Sequence, residues 1–160
     1  LAFYRRGEPG SRIEIPVEIT SIPCADVPIV RTVDGTVYLT ASDADMIESK
    51  AIALLNRTYV QARDILDLFL FQDRLVADSA TRVREKLDRL GVSAQAVIER
   101  CHALDVNRER HIKAVEAVMN EQVEASVAAN LRAAGGARMI FDAAMAILDG
   151  RLGVTGRPSA

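Results

Sequence analysis

The chain has 160 residues, of which 49% are hydrophobic and 26% charged, and a formal net charge of −2 at pH 7. That length suits one domain with enough apolar content for a core, and no stretch approaches the roughly 20 apolar residues of a membrane helix. The near-balanced charge marks the chain as a whole neither as a nucleic-acid binder nor as a membrane-surface protein, although local basic patches stay open.

Residues 1 to about 41 carry a two-residue period. LAFYRR and SRIEIPVEITSI read as two strands joined by the turn GEPG, and VPIVRTVDGTVYLT reads as two more around Asp34-Gly35. In RIEIPVEIT, alternation places Ile13, Ile15, Val17 and Ile19 on one face and Glu14 and Glu18 on the other. Pro16 marks an edge strand or a bulge. Two carboxylates on one strand face can hold a divalent cation when further acids converge; otherwise they are the exposed side of a half-buried strand.

From Ser42 onward the period is 3.6 and Ala, Leu, Glu and Arg dominate, predicting helices. Ser42-Asp43-Ala44-Asp45 predicts a capped start, with Met46, Ile47, Leu54 and Leu55 inward and the helix running through Arg57. A second helix, from about Thr58 to Gln72, is apolar on most sides and therefore central. Ser79 to Leu90 forms a third, stopped by Gly91, and Ser93 caps a fourth ending near Leu104. Two more span about Asn107 to Leu131 and Ala137 to Leu148, separated by Gly135-Gly136. The expected fold is α+β: strands over 1–41, a helical domain over 42–150 and a disordered tail over 151–160.

Four charges interrupt the apolar pattern at the first two helices: Lys50, Arg63, Asp64 and Asp67. One straight helix would hold Lys50 and Asp64 about 21 Å apart, at roughly 1.5 Å per residue. Asn56-Arg57-Thr58 is the weakest helix former of the stretch, and a reversal there sets Lys50 opposite Asp64. Arg63 and Asp67, four residues apart, form a candidate local pair. On pattern alone, solvated surface charge is the commoner explanation for all four. The chain makes nearly all its positive charge from Arg, with Lys only at 50, 86 and 113. That favours a specific role for Lys50, because a flexible ammonium follows a phosphate differently from a guanidinium fork.

Other features point less far. Cys24 and Cys101 lie outside any CxxC pair, which predicts a reduced, cytoplasmic setting. His102 and His111 lack metal-ligand spacing, and neither GxSxG nor GxxxxGK[ST] occurs. Arg82, Lys86 and Arg89 share a helix side and can touch phosphates, though a solvated flank is the commoner arrangement. The chain opens at Leu1 in an apolar run, which reads as the later part of a longer protein.

The order of these pieces (VEIT on a strand, two further strands, Ser42, Lys50, Ala53-Leu54, Arg57, then Arg63-Asp64-Ile65-Leu66-Asp67-Leu68) resembles the AbiEii/AbiGii family over residues 11–71. Members of that family are nucleotidyltransferase-like toxins of bacterial toxin–antitoxin and phage-defence systems. The resemblance implies a polymerase β-like site in which sheet acids hold Mg²⁺ and the metal binds an NTP. Lys50 would steady the phosphates and Asp64 would be the neighbouring acid. Ser42 would supply a hydroxyl, Arg63 a supporting contact, and Glu18, with Glu14 as its rival, the strand acid. It also implies an RNA acceptor such as tRNA, or a protein hydroxyl, and a cognate antitoxin as partner. The family's first motif, a Gly-Gly or Gly-Ser turn with paired metal-binding acids, is absent, so the chain alone is expected to be inactive. The competing expectation is a non-catalytic interaction module, with helices from Val115 to Leu131 and Ala143 to Leu148 packing on a partner or a second copy. The two diverge at Lys50 and Asp64, which must meet for the enzyme and can point apart for the module.

Overall fold

A computed structural model describes residues 23–154 and the backbone of two short strands before them. The fold is α+β. Strands β1 (Ala2–Tyr4) and β2 (Arg12–Glu14) pair antiparallel, with Phe3 opposite Ile13. Strands β3 (Ile29–Val33) and β4 (Thr36–Thr40) form a second antiparallel pair in the register Ile29 to Thr40. Asp34 and Gly35 join them with φ of 48° and 76°, the two positive values that a tight two-residue hairpin needs. Residues 15–22, including Glu18, and the side chain of Glu14 lie outside the described residues.

Seven helices follow among the described residues: α1 (Asp43–Asn56), α2 (Ala62–Leu70), α3 (Ser79–Arg89), α4 (Ala94–Val106), α5 (Arg108–Gln122), α6 (Ala125–Ala133) and α7 (Gly136–Ala146). Local chemistry sets many of their ends. Ser42 and Ser93 accept hydrogen bonds from the amides of Asp45 and Ala96, at 3.0 and 3.2 Å. Past α3, Gly91 takes φ 72°, and the amides of Gly91 and Val92 reach back to the carbonyls of Asp88 and Leu87, closing the helix as a Schellman motif.

Helix α2 packs against α1, α5 and α7, the central place expected of it. Leu54, Leu68, Val83, Val115, Met119, Ile140 and Phe141 form the buried centre, and each such side chain contributes roughly 1.5–3 kcal/mol by leaving water. No helix among the described residues is long and apolar enough to cross a membrane.

Three boundaries and the burial of two residues differ from expectation. Helix α2 begins at Ala62 rather than Thr58, leaving Thr58 and Tyr59 as an exposed connection. Met46, expected inside, is exposed, as is Phe71 just past α2. The long helix expected from Asn107 to Leu131 is broken at Val123, which is extended. Glu124 then caps α6 by accepting from the amides of Ser126 and Val127, at 3.1 and 3.3 Å. The tail does not leave the body at residue 151. A π-type turn over Ile147–Arg151 brings Leu152 into the core, and Arg151 donates to the carbonyls of Gln72 and Leu75. Residues 155–160 lie outside the described residues.

Candidate functional site

Helices α1 and α2 are packed together and joined by a five-residue connection, which sets their facing residues side by side. Lys50 projects from α1 toward Asp64 and Asp67, which share a face of α2 at a three-residue spacing. Lys50 Nζ lies 3.2 Å from Asp64 Oδ1 and 2.7 Å from Asp67 Oδ2. The second oxygen of Asp64 accepts from Arg57 Nη1 at 2.7 Å. Asp64 is 2% exposed and Lys50 33%, so the acid lies behind and the ammonium in front. Burial pulls the Lys50 pKa down, but its bonds to Asp67 and Asp64 outweigh that and hold it above the ordinary lysine value.

A groove of about 280 Å³ opens beside Lys50 and Asp67, walled by Met46, Ile47 and Phe71 and edged further by Asp43 and Arg74, with Asp64 behind it. The geometry allows an exchange of partners. Lys50 can turn from Asp67 toward an anion in the groove while Arg57 keeps Asp64 paired, so no buried carboxylate is stranded.

Two of the expected contributors stand elsewhere. The Ser42 hydroxyl is committed to capping α1 and donates to Asp26 Oδ2 at 2.5 Å, so it does not face Lys50. Arg63 is exposed, and among the described residues it forms no ion pair with Asp67, which turns to Lys50 instead. Among the described residues no three His, Cys, Asp or Glu side chains come together as a metal site. Glu14 and Glu18 fall outside that comparison. Cys101 and His102 make no zinc half-site: Cys101 is buried, and burial, with the Asp149 charge beside it, pushes its thiol up to about 11.

A second charged cluster lies inside the molecule, where a solvated flank was expected. Lys86 is 1% exposed, and its ammonium bonds both Asp45 and Glu48 of α1. Arg82 grips Asp26 with both terminal nitrogens at 2.9 Å and reaches Glu48 at 2.9 Å and Asp45 at 3.2 Å. Ser79 adds a bond to Glu48 at 2.8 Å. Asp45 also accepts from the amides of Ala25 and Asp26, which pins the segment before β3 onto α1. Every member is partnered and the centre is closed to solvent, so the cluster joins α1, α3 and that segment and is no phosphate site.

No protein family, curated protein or solved structure matches this chain.

Proposed function

We propose that residues 42–71 form the phosphate-side part of a nucleotidyltransferase-like site of the AbiEii/AbiGii type, acting in a cytoplasmic toxin–antitoxin or phage-defence system. The contact between Lys50, which lines an open groove, and the buried Asp64 behind it, 3.2 Å apart, carries this reading. Lys50 would take the charge of the NTP phosphates, and Asp64, fixed from behind by Arg57, would orient the ammonium. Phosphoryl transfer rests mostly on positioning and charge neutralisation, and this pair offers both. The described residues do not make a Mg²⁺ site, because the acids nearest the groove are already neutralised by Lys50, Arg57 and Arg74. Glu18 and Glu14 remain the sequence's candidates for holding a metal. The acceptor in this reading is an RNA such as tRNA or a protein hydroxyl, and the partner is an antitoxin.

One observation favours the interaction module instead. On one face of the β3–β4 hairpin, Val30, Val37 and Leu39 are 62%, 66% and 67% exposed, an apolar strip that a partner could cover.

Labelled NTPs, Mg²⁺ and cellular RNA, offered to the full-length natural protein, separate the two. Incorporation by the wild type that disappears in folded Lys50→Ala and Asp64→Ala supports the enzyme. Equal background in all three, with folding verified by circular dichroism, rejects it and leaves the module.

A further inference from the structure

The connection between α1 and α2 borders a second cavity, of about 240 Å³, and no carboxylate lines it. Its polar wall is Thr58, Tyr59, Arg100, Asn107, Arg110 and His111. We propose that it binds a phosphate group carried next to a planar ring, as in a nucleotide or a nucleic-acid segment. This goes beyond the nucleotidyltransferase reading and does not depend on it.

Helix α5 begins Arg108-Glu109-Arg110-His111, so basic groups crowd the helix end whose dipole favours acids. Arg108 is compensated by Asp105 and Asp142, and Glu109 is taken by Arg138. Arg110 is exposed, and its side chain makes no hydrogen bond or ion pair among the described residues. An uncompensated arginine at the wrong end of a helix breaks a local rule without structural return, and such departures mark functional positions.

Arg100 is anchored through Nε to the carbonyl of Leu54 at 2.9 Å and through one terminal nitrogen to that of Arg57 at 2.5 Å, which keeps its guanidinium at the cavity. The His111 ring lies parallel to Phe141, with centroids 6.1 Å apart. Burial lowers the His111 pKa, and the nearby charges of Arg110 and Arg100 lower it further, as a positive field would. Arg100 and Arg110 thus line one space whose wall holds no acid, which suits phosphate oxygens.

The cavity is smaller than the roughly 300–1,000 Å³ of sites that enclose drug-sized ligands. It takes a phosphate and part of a sugar but not a whole nucleotide, so the ring lies at its mouth. Tyr59, 77% exposed in the connection, stands there and offers a face on which a base can stack.

The test is titration of the full chain, followed by NMR, with inorganic phosphate, adenosine 5′-monophosphate and a short single-stranded RNA. Arg110→Glu, Tyr59→Ala and the exposed control Arg89→Glu, on α3 and outside the cavity lining, are compared with wild type. All three positions are on the surface, so the variants keep the fold. Saturable binding of the monophosphate, weakened at least tenfold in Arg110→Glu and severalfold in Tyr59→Ala, supports the site and identifies a mononucleotide. Binding of RNA alone, equally sensitive to Arg110→Glu but not to Arg89→Glu and falling steeply with salt, supports it and identifies a nucleic acid. No saturable binding of any probe, or binding that Arg110→Glu and Arg89→Glu reduce equally, overturns it.

Discussion

Asp45 and Lys86, 41 residues apart in the chain, meet as a hydrogen-bonded ion pair in the interior, and Glu48 shares the same ammonium. Removing the cation leaves two buried carboxylates with only Arg82 between them. Lys86→Met is therefore expected to cost roughly 3–5 kcal/mol, as for other buried pairs broken on one side. Urea unfolding of the variant against wild type measures it, and a loss under 1 kcal/mol would mean that solvent reaches the site.

The same cluster sets an acid limit. Burial alone would raise the Asp45 pKa, but the amides of Ala25 and Asp26 and the Lys86 bond more than reverse that and hold it well below its ordinary 3.8. Asp26, bonded to Arg82 and Ser42, is shifted the same way. A carboxylate with a depressed folded pKa contributes stability fully above its unfolded value and loses it as the pH falls toward the folded one. The urea midpoint should thus be flat above about pH 5 and drop below about pH 4. In Asp45→Asn the drop should be shallower; an unchanged slope would remove Asp45 from the linkage.

At the candidate site the two partners should differ in what they cost the fold. Asp64 is buried and holds both Lys50 and Arg57, whereas Lys50 is a third exposed and Asp64 keeps Arg57 without it. Asp64→Ala should destabilise by about 1–3 kcal/mol and Lys50→Ala by less than about 1 kcal/mol. Denaturant curves of both variants decide this, and the reverse order would mean that Lys50, not Asp64, organises the pair. A Lys50→Ala variant that is folded but inactive then separates chemistry from stability.

Two of the positive-φ glycines differ in the space around them. Gly91 has φ 72° and open space around a would-be Cβ, so Gly91→Ala costs only the left-handed conformation, roughly 1–2 kcal/mol. Gly135 has φ 127°, and a Cβ there would sit 2.9 Å from Met139 Cβ at the start of α7. Gly135→Ala should lower the melting temperature more than Gly91→Ala does, and equal shifts would show that α7 gives way locally.

Much of this architecture was legible in the sequence where one residue type has one local solution. Asp34-Gly35 gave the hairpin turn, Ser42 and Ser93 the caps, Gly91 a helix stop, and the weak Asn56–Thr58 stretch the reversal that joins Lys50 to Asp64. The break at Val123 escaped because glutamate is not a favoured cap residue, and only the bonds from Glu124 to two amides reveal it. The burial of Lys86 escaped because Arg82, Lys86 and Arg89 pass for a solvated flank. A signal was present. Asp45, Glu48, Ile52 and Leu55 repeat at intervals of three, four and three on α1, and Ser79, Val83 and Lys86 follow a matching stripe on α3. Opposite charges on two otherwise apolar stripes mark helices that pair through their polar ends.

The segment leading into β3 is tied down by a side chain rather than by a neighbouring strand. The amides of Ala25 and Asp26 give their hydrogens to the carboxylate of Asp45, on a helix that is itself locked to α3. In hydrogen exchange these two amides should therefore open with the α1–α3 unit instead of fraying like an ordinary loop. Their exchange would then slow and quicken with the charge state of one acid about twenty residues away, which makes them a reporter of the buried cluster in the intact protein.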